Sequence, residues 1–491
     1  MTREAGAVSA ADRGHASIGA AGIFFPPVMI PRPKRRPFVR AIPAILCLTL
    51  IAVATISEGQ NEAPAARISS IIDHRVQSRP GLNLVVGYVD KEGSRVFSAG
   101  SRKLDGRTVF EIGSLTKVFT GILLAEAVRR GEVALDQPVT ELMPAGFKFA
   151  SPETGRVTLL DLAGHGAGLP RMPGNWEPKD PKNPYAGYKT RDLYAALAGE
   201  NGGGRSGSAY QYSNFGYGLL GHLLARRAGT DYKTLVVDRV CRPLGMNDTR
   251  IRLTSGMQKR FTQGHDGAGE PVPPWDFGVL AGCGALRSTA DDLLKLLGAC
   301  AGLNRTPLNP SLLEAARARR PGPVPEMRVG LGWMVLTAEG RQVVMHDGGT
   351  SGFGAFMGYT TEPRAGVIVL SNTGILAENI SDIGLHLLDE RIPLNQAPRR
   401  VKLPTEVLET YLGRYQVPDG PIITITRGGD GLLYQEGDEE KPTPIEALNE
   451  DEFYFKAFAG IRIRFRKDAR GRVGGMTILA PGQEIEAPRM D

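Results

Sequence analysis

A lysine stands inside an otherwise apolar helical stretch of this chain, and few folds can accommodate it. In Glu111-Ile112-Gly113-Ser114-Leu115-Thr116-Lys117-Val118-Phe119-Thr120-Gly121, followed by Ile122 and Leu123, the apolar residues keep the 3.6-residue period of a helix packed on a core. Lys117 falls within that period, so its ammonium needs polar partners in the interior. Ser114, three residues earlier, lies on the same helical face and within reach of the amine. It is the only serine of the chain with a lysine at that spacing. The pattern predicts that Ser114 opens the helix, where free N–H groups and the helix dipole favour a developing alkoxide. A Ser-x-x-Lys pair arises by chance about once in a chain this long, so the pair alone does not establish catalysis.

The surrounding pattern is mixed. Residues 62–78 read as a helix, and Leu82–Val89 with Ser94–Ser98 read as a strand hairpin turned at Lys91-Glu92-Gly93. From about 135 to 290, helices separated by Pro- and Gly-rich loops, including Pro173–Pro184, predict a helical subdomain. Strand signals return at 332–336, 342–345, 354–360 and 366–371, and a helix is expected over 378–389. The expectation is an α/β plus all-α domain over 61–391, its sheet flanked by helices. A Pro-rich, basic linker follows at 392–404. Short alternating strands at 422–426, 431–434, 453–455 and 461–465 then predict a small β-barrel over 405–491.

The 491 residues carry a formal charge of +7, but residues 1–54 hold seven Lys/Arg against two acids and account for +5 of it. The remainder is nearly neutral, which argues against a nucleic-acid partner. Arg32, Lys34, Arg35, Arg36 and Arg40 precede the apolar run Ala41–Ile56, with Ala52-Val53-Ala54 as a cleavage site. Residues 1–60 thus read as an export signal or an uncleaved membrane anchor, and a start at Met29 gives a signal of ordinary size. The protein is expected in the periplasm or secreted. Cys241, Cys283 and Cys300 are too few and odd in number for a disulfide framework. No strong metal-ligand spacing is present, and neither a metal nor a cofactor is expected.

A serine nucleophile also requires a proton carrier, a group to hold the substrate amide and an oxyanion hole. Tyr212-Ser213-Asn214 precedes a helix expected to begin near Phe215. The phenol offers a proton shuttle, and the amide at i+2 reaches both Lys117 and substrate. The alternative is aromatic packing by Tyr210, Tyr212 and Tyr217, with Asn214 as helix cap. After a strand comes His346-Asp347-Gly348-Gly349-Thr350-Ser351-Gly352-Phe353, whose small residues let a substrate backbone approach. The N–H groups of Gly349 and Ser114 are the expected oxyanion donors. No Gly-x-Ser-x-Gly elbow occurs.

Ser-x-x-Lys, Tyr-x-Asn and His/Lys-x-Gly in this order resemble the penicillin-recognising serine hydrolases, of the class C β-lactamase and serine D,D-peptidase type. Further segments are similar: Thr158–Pro170 with Gly164-His165-Gly166-Ala167-Gly168-Leu169-Pro170, Asn214–Gly221, Arg242–Met246 and Ala281–Asp292. The resemblance spans residues 66–390, and the tail resembles a lipocalin-like barrel appended to some members. It implies a β-lactamase/transpeptidase-like fold, with an antiparallel sheet flanked by helices and a small all-β barrel behind it. It further implies that Ser114 is the acylated nucleophile, Lys117 the base or relay, and Tyr212 the acid to the leaving amine. Asn214, His346, Gly348 and Thr350 would line the substrate site.

His346 departs from the lysine usual in class C β-lactamases, and a histidine is mostly neutral at pH 7. The expected activity is therefore an exported serine hydrolase of D,D-carboxypeptidase type acting on D-alanyl peptides, with β-lactam turnover as a side reaction. A class C-like β-lactamase or a carboxylesterase is the alternative, and a non-catalytic wall-fragment sensor the remoter one. His346 also reads as a strand-end residue bonded to Asp347, and His165 as a residue that orders its Gly-rich turn.

Overall fold

The computed structural model describes residues 64–490 apart from residues 80, 200–202, 339, 375–378, 396–400, 419, 430, 438–441, 456–457 and 481–482. The expected signal or anchor, Met29 and the first residues of the helices expected at 62 and 378 lie outside the described residues. These residues form two compact units, divided between residues 397 and 398.

In the first unit, helix α1 (Pro64–Ser78) leads into strands β1 (Leu84–Asp90), β2 (Gly93–Ala99) and the short β3 (Phe110–Glu111). Helix α2 (Thr116–Arg129) follows a 3₁₀ turn at Gly113–Leu115. Helix α3 (Asn214–Arg227), strand β4 (Arg287–Ser288) and helix α4 (Ala290–Cys300) come next. Strands β5 (Arg320–Pro321), β6 (Met327–Val329), β7 (Met334–Ala338), β8 (Arg341–Gly349), β9 (Gly354–Thr361) and β10 (Arg364–Ser371) precede helix α5 (Ser381–Leu388).

Eight of these strands make one antiparallel sheet in the order β2-β1-β10-β9-β8-β7-β6-β5. Its central strands read as continuous apolar runs because helices cover both faces, and the two-residue alternation divides each strand between two cores. Val85, Ile368 and Leu370 pack with α2 and α4. Leu84, Val86, Val367 and Val369 face the other way, onto Ile68 and Ile72 of α1 and Ile383 of α5. Helix α2 is buried from Thr116 to Ala127, as expected of a helix apolar on all sides.

The stretch between β3 and β4 holds short helices, among them Leu159–Ala163, Thr190–Ala198 and Tyr232–Val236, set in long loops around the 14-residue α3. Strand β8 runs four residues past the strand expected at 342–345. Asp347, Gly348 and Gly349 have little strand propensity, and the register Asp347↔Phe356, Gly348↔Ala355, Gly349↔Gly354 holds them in the sheet.

The second unit is a nearly closed eight-stranded antiparallel barrel: β11 (Gly413–Gln416), β12 (Ile422–Gly428), β13 (Gly431–Glu436), β14 (Thr443–Ala447), β15 (Glu452–Phe455), β16 (Phe458–Lys467), β17 (Val473–Ala480) and β18 (Gln483–Pro488), each paired with the next. The Tyr415–Arg489 bridge and the Met490 N–H to Arg414 carbonyl bond of 2.9 Å draw the ends together, leaving little free edge. Tyr411, Tyr415, Phe453, Ile463, Phe465 and Met476 fill its core.

Candidate active site

Lys117 is fully buried, and its three N–H donors meet three acceptors: Ser114 Oγ at 3.0 Å, Asn214 Oδ1 at 2.8 Å and the Cys283 carbonyl at 2.7 Å. That set offsets the cost of desolvating an ammonium group and leaves it no spare donor. Tyr212 donates its hydroxyl to Ser114 Oγ at 2.8 Å. The serine oxygen therefore has two donors aimed at it, and Ser114 itself is partly exposed.

Helix α3 brings Asn214 into the cluster. Its cap is Ser213, whose Oγ accepts from the Gly216 N–H at 2.8 Å, so Asn214 is the first helical residue rather than the cap, and its amide is free to point inward. While Oδ1 accepts from Lys117, Nδ2 donates to Tyr185 Oη at 3.0 Å. Burial holds the Tyr185 phenol well above its ordinary range, so it stays a neutral partner.

The end of β8 forms the opposite wall. A methyl group on Gly348 would lie 2.3 Å from the Ile112 carbonyl and 2.9 Å from the Ser114 nitrogen, and one on Gly113 (φ +48°) would lie 2.5 Å from the Gly349 nitrogen. Glycine on both sides is what lets the strand touch the Ser114 turn. Antiparallel pairs alternate between bonded and non-bonded, and Thr350 donates its N–H to the Phe353 carbonyl at 3.0 Å. The next pair, Gly349↔Gly354, is therefore non-bonded. The Gly349 N–H turns away from β9, towards the edge that β7 leaves uncovered beyond Met345↔Met334 and that Gly113 abuts. Thr350 is buried behind it.

His346 is 2% exposed and donates from Nδ1 to the Asp347 carbonyl. Burial, with the nearby Lys117 charge adding, pushes its imidazole down to about 3, while burial pushes the Asp347 carboxyl up to about 6. His346 thus brings neither a positive charge nor appreciable surface to the cleft, and the reading as a satisfied strand residue describes its contacts.

His165 does more than order its turn. It holds φ +56°, accepts the Ser213 N–H on Nδ1 at 3.1 Å and stacks on the Tyr212 ring. Burial keeps it neutral, its value well below the ordinary histidine range. Tyr210 and Tyr217 also pack on it, so aromatic packing and a phenol aimed at Ser114 coexist in one cluster. Arg171, Tyr185 and the Cys283 carbonyl were not legible as site groups. The first two carry no spacing signal, and a main-chain oxygen has none to carry.

Glu111 ties three segments together: its Oε1 accepts from the Trp275 N–H at 2.9 Å and from Arg287 Nη2 at 3.0 Å. Trp176, from the Pro173–Pro184 loop, and Trp275 flank Tyr185, with ring centroids 5.7 and 5.4 Å away. His265 donates its N–H to the Asn372 carbonyl at 2.9 Å, and no cluster of three metal-ligating side chains occurs among the described residues.

A family model described as Beta-lactamase matches residues 68–388. A beta-lactamase of Pseudomonas fluorescens is 26% identical over 348 residues, covering 62% of this chain and 92% of its own length. The D-alanyl-D-alanine-carboxypeptidase/endopeptidase AmpH of Escherichia coli K12 is 27% identical over 301 residues, covering 56% of this chain and 74% of its own. Two solved structures share the fold. A class C beta-lactamase from Rhodobacter sphaeroides covers 66% of this chain and 99% of its own at 23% identity and TM-score 0.56. A beta-lactamase/D-alanine carboxypeptidase from Pseudomonas syringae covers 68% and 100% at 21% identity and TM-score 0.57.

Proposed function

This chain belongs to the Beta-lactamase family and is a serine hydrolase, and on that premise we propose that it is an exported enzyme cleaving D-alanyl peptides or amides through a Ser114 acyl-enzyme, with β-lactam hydrolysis as a second activity. The observation that carries the reading is the convergence on Ser114 Oγ of Lys117 Nζ at 3.0 Å and Tyr212 Oη at 2.8 Å. Export is inferred from the basic run Arg32–Arg40 ahead of Ala41–Ile56.

In this reading Ser114 Oγ attacks the scissile carbonyl and its proton passes into the Lys117–Tyr212 pair. The carbonyl oxygen moves towards the N–H groups of Ser114 and Gly349, which bear its charge in the tetrahedral intermediate. Tyr212 hands a proton to the departing amine, and the acyl group stays on Ser114. Water then enters on the Tyr212 side, loses a proton to the same pair and releases the acid. Asn214 keeps Lys117 oriented and offers its amide edge to the substrate. Gly348 and Thr350 form the strand-side wall, and His346 supports it from beneath. No metal or cofactor takes part in these steps.

The test is covalent labelling. Incubation with a fluorescent penicillin, followed by peptide mass spectrometry, is expected to place the label on Ser114 in wild type and to find none in Ser114→Ala. Release of D-alanine from an acyl-D-alanyl-D-alanine peptide is then compared with hydrolysis of nitrocefin and of a p-nitrophenyl ester. Ester cleavage without D-alanine release would replace the peptidase reading with an esterase one.

A further inference from the structure

Resting on that proposed reaction, we propose that Arg171 is the anchor for the substrate's carboxylate, and that it selects substrates whose leaving group is a D-amino acid with a free α-carboxylate.

Three observations lead there. His346 stands where a charged anchor would be expected, and it is buried and neutral, so the strand side offers an anion no fixed charge. Lys117 is charged but closed: all three of its donors are spent on Ser114, Asn214 and the Cys283 carbonyl. Arg171 is the second cation at the cluster. Its guanidinium carbon lies 5.2 Å from the centroid of the Tyr212 ring, and it acts electrostatically on His165, Tyr185, Tyr210 and Cys283. Its side chain is half-buried and makes no hydrogen bond or ion pair among the described residues.

A partly desolvated guanidinium with five free donors is matched to a carboxylate, which it grips in a two-pronged fork. Its backbone is fixed, since the Arg171 carbonyl accepts the N–H groups of Asn214 at 2.9 Å and Phe215 at 3.1 Å. The anchor is thus tied to the helix that carries Asn214, two residues along the chain from Tyr212. Chemistry decides which carboxylate it meets. Tyr212 is the proposed acid to the leaving amine, and in an α-amino acid the nitrogen and the carboxyl carbon are only about 2.5 Å apart. An anion on the Tyr212 side is therefore the carboxylate of the departing residue.

The test compares matched substrates. Peptides ending in D-alanine, and depsipeptides ending in D-lactate, are each assayed with the terminal carboxylate free and as the methylamide. Wild type is expected to prefer the free carboxylate in kcat/KM. In Arg171→Gln that preference should fall about 10- to 100-fold, the span of one charged two-pronged contact, and Arg171→Lys should retain part of it. The exposed Arg191→Gln is the control and should keep the wild-type ratio. A merely structural role for Arg171 would lower both members of each pair alike and overturn the proposal, as would a wild type indifferent to the terminal charge. Penicillin labelling of Ser114 in the same preparations tells these failures apart from failure of the acyl-enzyme reading, which would remove the label altogether.

Discussion

The imidazole of His165 lies stacked on the phenol of Tyr212, with ring centroids 4.5 Å apart and planes 29° apart. Because His165 Nδ1 also accepts the Ser213 N–H at 3.1 Å, the ring is fixed on the backbone next to the residue it supports. The Tyr212 hydroxyl is thereby aimed at Ser114 by a neighbour that is itself buried. His165→Leu removes the platform and leaves a buried N–H unpaired. Its kcat is expected to fall about 10- to 100-fold with KM within a few-fold, as for other small misplacements of reacting groups. His165→Asn tolerates the positive φ and restores an acceptor, so it should recover part of the loss. Steady-state kinetics decide: a lower melting temperature with unchanged kcat would reduce His165 to a structural role.

Acid should weaken the fold through its buried imidazoles. His346 is pushed to about 3 and His165 lies well below 6.5, so the unfolded chain binds protons that the native one refuses. Their stabilising contribution is complete above about pH 6.5 and declines as pH falls below it, that of His346 being lost as pH falls towards 3. Asp347, raised to about 6, acts in the opposite sense: its contribution is complete below about pH 4 and is lost as pH rises through 6. His346→Gln isolates one term. Between pH 7 and 5 the unfolding free energy of wild type should drop relative to the variant by about 1–2 kcal/mol, from one proton at about 1.4 kcal/mol per pH unit. Denaturant unfolding at the two pH values measures it, and a constant gap would show a ring that titrates normally in the native state.

Gly348→Ala tests the strand-side wall. The added methyl would meet the Ile112 carbonyl at 2.3 Å and the Ser114 nitrogen at 2.9 Å, both main-chain atoms that cannot swing aside. Strand β8 must back away, and the Gly349 and Ser114 N–H groups separate. Acylation by nitrocefin is expected to slow about 10²- to 10³-fold, the loss typical of one oxyanion donor. A variant of wild-type rate would mean that Gly349 does not serve the oxyanion.

What could be read in advance follows from where the information sits. Ser114 and Lys117 are coupled by local helical spacing, and the apolar runs of β1 and β10 announce a sheet covered on both faces. Half the barrel was hidden: β11, β14, β17 and β18 are short or rich in Gly, Glu and Pro, and their state is set by neighbours in the ladder. The roles of Arg171, which was missed, and of His165, which was read only as ordering its turn, were hidden for a related reason. Arg171 and His165 reach Tyr212 through a fold contact spanning some 40 residues, and no periodicity records it. The burial that silences His346 is likewise tertiary.

Asn214 offers the sharpest separation of positioning from stability. Its Oδ1 accepts from Lys117 at 2.8 Å and its Nδ2 donates to Tyr185 Oη at 3.0 Å, so the two ends of one amide hold an ammonium and a phenol. Asn214→Asp keeps the shape but replaces the second donor with an acceptor. The new carboxylate forms an ion pair with Lys117 and binds it more firmly as the ammonium, which opposes any passage of the Ser114 proton through it. The Tyr185 hydroxyl can turn and donate instead, so the fold should keep its stability to within about 1 kcal/mol, the net worth of a typical hydrogen bond. Acylation should still fall about 10²- to 10⁴-fold, the range of a lost proton transfer. Penicillin labelling kinetics beside thermal unfolding read the two effects apart. Equal labelling rates would mean that Lys117 acts only as a fixed charge, with Tyr212 alone moving the proton.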